Sequence, residues 1–250
     1  MTGTKVSLTV EEGAAWIRLD GPERRNALDA QAARDLVAIC DAIDADLAVG
    51  VAVITGTGRA FCSGADTAAL NRIRSASPDQ AYDGLDELYA GFRRFAGLQV
   101  PTVAAVNGAA VGAGLNLALA ADLRVASTGA VFISGFAPLG IHPGGGHLHL
   151  IARAAGAGAA AYLGVFGQRM GSDQALSLGL VSAVVADAEL RGTVRSMVAH
   201  LAADPALARA LAADLHRTVH HQDAWDQAVE IERARQMWSL ARNPGNPKES

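Results

Sequence analysis

Along most of the chain, short apolar runs alternate with stretches in which apolar residues recur every three or four positions. Val6–Val10 and Ala15–Leu19 read as two short strands around Glu11-Glu12-Gly13, which predicts a hairpin. Asp29 heads a helical pattern reaching Ile43, with Leu28, Ala32, Leu36, Ile39 and Ile43 at helical spacing. Val51–Thr55, ended by Gly56-Thr57-Gly58, and Thr102–Val106, ended by Asn107-Gly108, read as buried strands. Leu123–Ala126, Val131–Ile133 and Val181–Val185 are further short strands, and helical patterns fill 81–97, 112–121, 146–164, 187–202 and 205–238. Strands thus alternate with helices to about residue 185 and helices follow, which predicts an α/β core with a helical C-terminal region. The division falls at 1–190 and 191–250, and the tail Asn243–Ser250 is expected to fray.

Composition narrows the class. Half of the 250 residues are hydrophobic and 18% are charged, so a sizeable core can form. Only 5% are aromatic, so Ala, Val, Leu and Ile must build it. A net charge of −4 without a basic stripe argues against nucleic acid as a partner. The start MTGTKVSLTVEEG has no basic segment followed by an apolar run, and Cys40 and Cys62 stand alone, the first on a predicted helix and the second in a loop. A cytoplasmic protein with free thiols is expected. Val100–Ala121 carries no charge and is about long enough to span a bilayer, but Pro101, Asn107, Asn116 and its glycines predict a strand, a turn and a buried helix instead.

Two glycine-rich turns hold the candidate chemistry: Thr55–Asp66 (TGTGRAFCSGAD) and Val106–Asn116 (VNGAAVGAGLN). Each follows a strand and leads toward a helix. Small residues let a ligand approach the backbone, and N–H groups at a helix start have no internal partner and sit at the positive end of the dipole. Such a pair could hold an oxygen that gains negative charge, or the turns could be plain tight connections. Neither is a GxGxxG or GxxxxGK[ST] phosphate loop, and no GxSxG surrounds Ser63.

Four motifs in order settle on one resemblance. Pro22–Leu28 (PERRNAL), Gly56–Asp66 (GTGRAFCSGAD), Val106–Ala126 (VNGAAVGAGLNLALAADLRVA) and Gly140–Gly146 (GIHPGGG) resemble the enoyl-CoA hydratase/isomerase, or crotonase, superfamily over residues of about 5 to 200. The resemblance implies a crotonase-like spiral of ββα units with a helical C-terminal region, a homotrimer or hexamer, and coenzyme A present only as part of an acyl-CoA substrate. It implies that the backbone N–H groups of Ala65 and Ala113 form an oxyanion hole. Asp66, Thr67 and Ala68 fall on the pantetheine side, Arg25, Ala27 and Leu28 on the nucleotide and pantetheine side, and Ser63 and Phe136 count among the substrate-binding residues.

The sequence departs from the family at the proton chemistry. The resemblance places one glutamate three residues after the second oxyanion residue and another seven residues before the proline of the Pro-Gly-Gly turn. Here those positions are Asn116 and Phe136. An amide orients water but takes no proton, and a phenyl ring does neither. His142 is the candidate substitute, because histidine as a residue type ordinarily titrates at about 6.5. Its plainer reading is a turn histidine bonded to nearby backbone. No metal is expected, because His142, His147 and His149 lack an i, i+4 pair and an acidic neighbour. His216, His220 and His221 read as a solvated helix face, and Asp122 as a structural residue ending the buried helix. Relatives usually carry a further short helix beyond the one ending near Trp238. The leading expectation is an enoyl-CoA lyase or isomerase of fatty acyl-CoA metabolism. The alternatives are an acyl-CoA-binding protein without turnover, and a related reaction such as thioester hydrolysis or decarboxylation.

Overall fold

A computed structural model of the protein describes residues 3–219 and 222–242. The hairpin forms as expected, β1 (Lys5–Glu11) pairing antiparallel with β2 (Ala14–Asp20). Asp29 caps α1 (Ala30–Ala45) by accepting from the Ala32 N–H at 2.9 Å. The chain then winds through repeats: β3 (Val51–Gly56), β4 (Ala60–Cys62), α2 (Thr67–Ser75) and α3 (Pro78–Ala96), followed by β5 (Thr102–Val106), β6 (Ala109–Val111) and α4 (Ala113–Ala120). Next come β7 (Leu123–Ser127), β8 (Val131–Ile133) and α5 (His147–Ala160), then β9 (Arg169–Gly171), α6 (Ser172–Ser177) and β10 (Ala183–Val185). Helices α7 (Leu190–Ala203), α8 (Pro205–Thr218) and α9 (Gln222–Ala241) follow.

Each repeat gives one strand to each of two sheets. The larger sheet has the order β1-β2-β3-β5-β7-β10 and the smaller β4-β6-β8-β9. The central strands of the larger sheet are parallel and covered on both faces, which is why Val51–Ile54 and Thr102–Val106 are apolar without alternation. One face packs Ile17, Ile54, Ala104 and Val106 with Leu36, Leu85, Phe92 and Phe95. The other packs Trp16, Val53, Val103 and Val125 against Leu190, Val194 and Val198 of α7.

Asparagines staple the corners between the sheets. The buried Asn26 side chain donates to the Ala60 carbonyl at 2.8 Å and accepts from the Gly21 N–H at 2.9 Å. Asn107 accepts from the Gly56 N–H at 3.0 Å and donates to Gly58 and Ala60 carbonyls. These bonds satisfy backbone groups that a tight corner leaves without a ladder partner.

Several expectations are corrected. The helical run 205–238 is two helices, α8 and α9; no Pro or Gly lies between them to reveal the break. Cys62 lies on β4 and not in a loop, and burial pushes its thiol and that of Cys40 up to about 12. The last strand begins at Ala183, because the N–H groups of Leu180 and Val181 turn back to the Ala175 carbonyl. Val100–Ala121 holds the expected strand and buried helix, β5 and α4, but the stretch read as a turn also contains a short strand, β6. One helical stretch, His147–Val165, is long and apolar enough to cross a membrane. Its backbone breaks at Gly156, and His147, Leu150 and Ile151 are buried in the core. The tail 243–250 and His220-His221 lie outside the described residues.

Candidate active site

The strands β4, β6 and β8 of the smaller sheet run parallel, side by side, and each ends in a turn of small residues. The turns are Ser63-Gly64-Ala65, Gly112-Ala113 and Ser134-Gly135-Phe136, and all line one cavity of about 80 Å³. The carboxyl ends of parallel strands are where ligands bind in α/β sheets. Leu70 of α2, Leu85, Leu88 and Tyr89 of α3, Leu139, Ile141 and Gln236 of α9 close the rest of the cavity.

The first two turns touch at Gly64 and Ala113. Gly64 has φ +93, and a Cβ there would lie 2.7 Å from the Val111 carbonyl oxygen and 3.4 Å from the Ala113 nitrogen. Both the left-handed backbone and the close approach require glycine. The Leu28 N–H donates to the Gly64 carbonyl at 2.8 Å, and the Asp66 N–H to the Leu28 carbonyl at 2.7 Å. These bonds bracket Ala65 and turn its own N–H to the opposite side. Ala113 is the first residue of α4, so its N–H has no helical acceptor. Among the described residues neither N–H donates elsewhere in the chain. Two free N–H groups, one at the positive end of a helix, therefore stand at one apolar cavity.

Beyond the turns lies a buried polar chain. Asn116 Nδ2 donates to the Gly144 carbonyl at 2.9 Å, and Asn116 Oδ1 lies 2.6 Å from His147 Nδ1. His147 Nε2 lies 2.7 Å from Ser134 Oγ. Because Asn116 Oδ1 can only accept, His147 carries its proton on Nδ1, and Nε2 accepts from the Ser134 hydroxyl. Ser134, Asn116 and His147 are all buried. Burial lowers the His147 pKa to about 3, so the ring is neutral at pH 7. Phe136 meets the His147 ring edge-on, with centroids 5.0 Å apart.

Helix α9 seals the far side. Glu232 accepts from the N–H groups of His147 at 2.7 Å and Leu148 at 2.9 Å, capping the start of α5 from a distant helix. Burial raises its pKa, and the N–H groups of Leu148, His147 and Gly146 oppose the rise. Trp225 Nε1 donates to the Gly145 carbonyl at 3.1 Å, and the Tyr89 hydroxyl bonds the Gln236 side chain.

Not every residue read from the sequence reaches the cavity. Ser63, Ala65, Ala113, Asn116 and Phe136 line it. Asp66 instead caps α2 through the N–H groups of Ala68 and Ala69 and pairs with Arg24. Burial opposes its ionisation, but the Ala69 N–H and Arg24 outweigh this and hold its carboxyl below the usual range. Thr67 and Ala68 are exposed at the start of α2, Arg25 is exposed, and Ala27 and Leu28 are buried behind Ala65. His142 is outside the lining: its N–H donates to Ser239 Oγ at 2.8 Å and its Nδ1 lies 2.7 Å from the Pro143 carbonyl. Among the described residues no group of three His, Cys, Asp or Glu could hold a metal.

Sequence reasoning missed Ser134, Tyr89 and Gln236 and assigned His147 no part in the site. The helical spacing of Leu85, Leu88, Tyr89 and Phe92 could have signalled Tyr89, but nothing in the sequence ties residue 134 to residue 147. Asp122 is structural as read, its Oδ2 accepting from the Thr102 N–H and hydroxyl at 2.8 Å. His216 is corrected: it is not on a solvated face but half-buried, with Nε2 3.0 Å from Asp122 Oδ1.

Comparison with known proteins agrees with this architecture. The enoyl-CoA hydratase/isomerase family matches residues 9–241. The chain is 42% identical over 182 residues to the Mycobacterium tuberculosis protein named "Probable enoyl-CoA hydratase EchA14", covering 73% of this chain and 70% of that one. It is 32% identical over 197 residues to 1,2-epoxyphenylacetyl-CoA isomerase of Escherichia coli, covering 78% and 75%. The solved enoyl-CoA hydratase/isomerase of Xanthobacter autotrophicus Py2 superposes with a TM-score of 0.87 at 30% identity, covering 99% of this chain and 91% of that one. Fold and relatives define an acyl-CoA-processing enzyme of the crotonase superfamily. Within it, the chain belongs to the enoyl-CoA hydratase/isomerase family.

Proposed function

We propose that the protein binds an acyl-CoA thioester with its carbonyl oxygen between the N–H groups of Ala65 and Ala113, as an enoyl-CoA hydratase/isomerase-type enzyme of fatty acyl-CoA metabolism. The observation that carries this reading is the meeting of two free N–H groups at one apolar cavity. Proton loss from the α-carbon, addition at the β-carbon and attack on the thioester carbon all place negative charge on that oxygen. Preorganised donors stabilise it there, and losing one typically costs about 10²–10³ in rate.

The reading differs from two-glutamate hydration. No carboxylate lines the cavity among the described residues, and Asn116 spends its amide on Gly144 and His147. Water activation by a carboxylate pair is therefore not the chemistry these side chains support. The cavity is small beside the roughly 300–1,000 Å³ of sites for drug-sized ligands, which favours an acyl group of a few carbons. Calorimetry with acetyl-, butyryl-, crotonyl- and octanoyl-CoA tests the reading. Binding near micromolar, about −8 kcal/mol, is expected for the short chains; no heat and no thermal protection with any of them would remove it.

A further inference from the structure

Ser134, His147 and Asn116 stand in the order hydroxyl, imidazole, acceptor. Ser134 Oγ faces His147 Nε2 at 2.7 Å, and His147 Nδ1 faces Asn116 Oδ1 at 2.6 Å. A nucleophilic serine needs a base on its hydroxyl and a third group fixing the base's tautomer, and these three residues supply both. Ser134 directly follows β8, and the bond from the Gly112 N–H to the Ile133 carbonyl, 3.0 Å, sets it beside the turn that carries the Ala113 N–H. Ser134 and Ala113 line the same cavity. The pairing satisfies both nitrogens of a buried ring, and what sets Ser134 apart from a plain buried partner is its place on the cavity wall beside the turn that carries the Ala113 N–H.

We propose that Ser134 is a nucleophile that takes the acyl group from a short acyl-CoA, making the protein an acyl-CoA thioester hydrolase through an acyl-serine intermediate. The proposal rests on the acyl-CoA binding and oxyanion reading above, and gives that site thioester hydrolysis in place of enoyl-CoA hydration. Ser134 Oγ forms a bond to the thioester carbon while its proton passes to His147 Nε2, and the oxyanion lies on the N–H groups of Ala65 and Ala113. Burial keeps the ring neutral and weakly basic in the free protein, so the imidazolium forms only together with the oxyanion, whose opposite charge favours it. Collapse breaks the C–S bond, and the coenzyme A sulfur leaves with the proton from His147. Water then attacks the ester, giving its proton to His147 and breaking the bond to Ser134, whose oxygen recovers that proton. The products are a carboxylic acid and coenzyme A, with no oxidant or reductant. Asn116 is a positioning residue, because its amide bonds the imidazole and the Gly144 carbonyl and takes no proton in the reaction.

The test uses the full chain with acetyl-, butyryl- and crotonyl-CoA. Free thiol is followed with a chromogenic thiol reagent, the protein is quenched and weighed by mass spectrometry, and binding is measured in parallel by calorimetry. The expected result is thiol release at least 100-fold above buffer, with an acyl adduct that maps to Ser134. Ser134→Ala should lose both adduct and release while still binding acyl-CoA. Asn116→Asp keeps the acceptor on His147 Nδ1 and adds a charge that favours the imidazolium, but it loses the N–H on the Gly144 carbonyl. Once thermal melts show the variant folded, the acid limb of its pH profile for release should lie at higher pH than the parent's, which a purely structural asparagine would not produce. An unmoved profile counts against Asn116 as a positioning residue. Binding without release or adduct overturns the proposal and leaves the acyl-CoA reading standing. Release that persists in Ser134→Ala, or an adduct elsewhere, also overturns it. Absence of binding removes both. If Ser134→Ala fails to fold, the adduct map of the unaltered protein decides alone.

Discussion

Asn116 is tied at both ends: its amide N–H holds the Gly144 carbonyl at 2.9 Å, and its amide oxygen holds His147 Nδ1 at 2.6 Å. The residue sits where the family resemblance expects a water-activating glutamate, yet an amide has no group that can take a proton from a water. Hydration of crotonyl-CoA by the unaltered protein should therefore run several orders of magnitude below that of a two-glutamate relative, at about 10²–10⁴ for each missing group. Asn116→Glu with Phe136→Glu should raise it more than either change alone, since two groups sharing one water act as a unit. Loss of the conjugated thioester absorbance measures this, after thermal melts confirm that each variant folds. Fast hydration by the unaltered protein contradicts the reading.

The buried imidazole makes stability depend on pH. Burial lowers the His147 pKa from 6.5 to about 3. Below pH 6.5 the unfolded chain takes up a proton that the folded chain refuses, so this stability is present above 6.5 and lost toward pH 3, at up to about 1.4 kcal/mol per pH unit. Glu232, which binds the His147 N–H, acts oppositely: its pKa is raised from 4.5, so its contribution is present below 4.5 and lost as pH rises through the folded value. Urea melts at pH 7, 6 and 5 should show a steeper loss in the parent than in His147→Gln. Equal slopes contradict the assignment of a buried neutral ring.

Glu232 also caps α5 across a separation of 85 residues in sequence. Glu232→Ala leaves the buried N–H of His147 without an acceptor, at about 1–3 kcal/mol, and frees the half-buried N–H of Leu148 at a smaller cost. Glu232→Gln keeps one acceptor oxygen and should cost less. At about 2–4 °C per kcal/mol, the two variants separate clearly in thermal melts. Equal melting points would show that the carboxylate does not cap the helix.

The strand-and-helix alternation, the hairpin and the two oxyanion turns were legible because each rests on local chemistry: an apolar run, a period, a glycine. Asp66 was legible as a residue near the turn, and its cap of α2 is local, made to N–H groups two and three residues on, but its pairing with Arg24 depends on a contact 42 residues away. His142 and His147 look equivalent in the run 142–149. Only the fold turns one to Ser239 and the other to Asn116 and Ser134. Glu232 and Gln236 were invisible as site residues for the same reason, since nothing in a helical period tells which distant helix it meets.

Exposed apolar side chains bear on assembly. Leu207, Leu211 and Leu215 recur every four residues on α8 and are exposed, as are Val165 and Phe166 at the end of the α5 region. Covering such a stripe suits a subunit contact. A homotrimer or hexamer is expected by light scattering at micromolar concentration, and Leu207→Glu with Leu211→Glu should shift it toward monomer. A stable monomer for the unaltered chain contradicts this expectation.

The central claim is that the Ala65 and Ala113 N–H groups polarise a thioester carbonyl. Ala113 is the first residue of α4, so its N–H has no helical acceptor to lose. Proline there would set its ring carbon where the N–H points, whereas replacing Ala113 by its α-hydroxy acid exchanges the backbone N–H for an ester oxygen and adds no atom at the cavity. The ester variant is therefore the single-donor deletion. Isotope-edited infrared spectra of bound butyryl-CoA should show the carbonyl stretch shifted to lower frequency in the parent, and a clear part of that shift lost in the ester variant with binding retained. A carbonyl unshifted in the parent, or shifted equally in both proteins, would contradict the oxyanion hole.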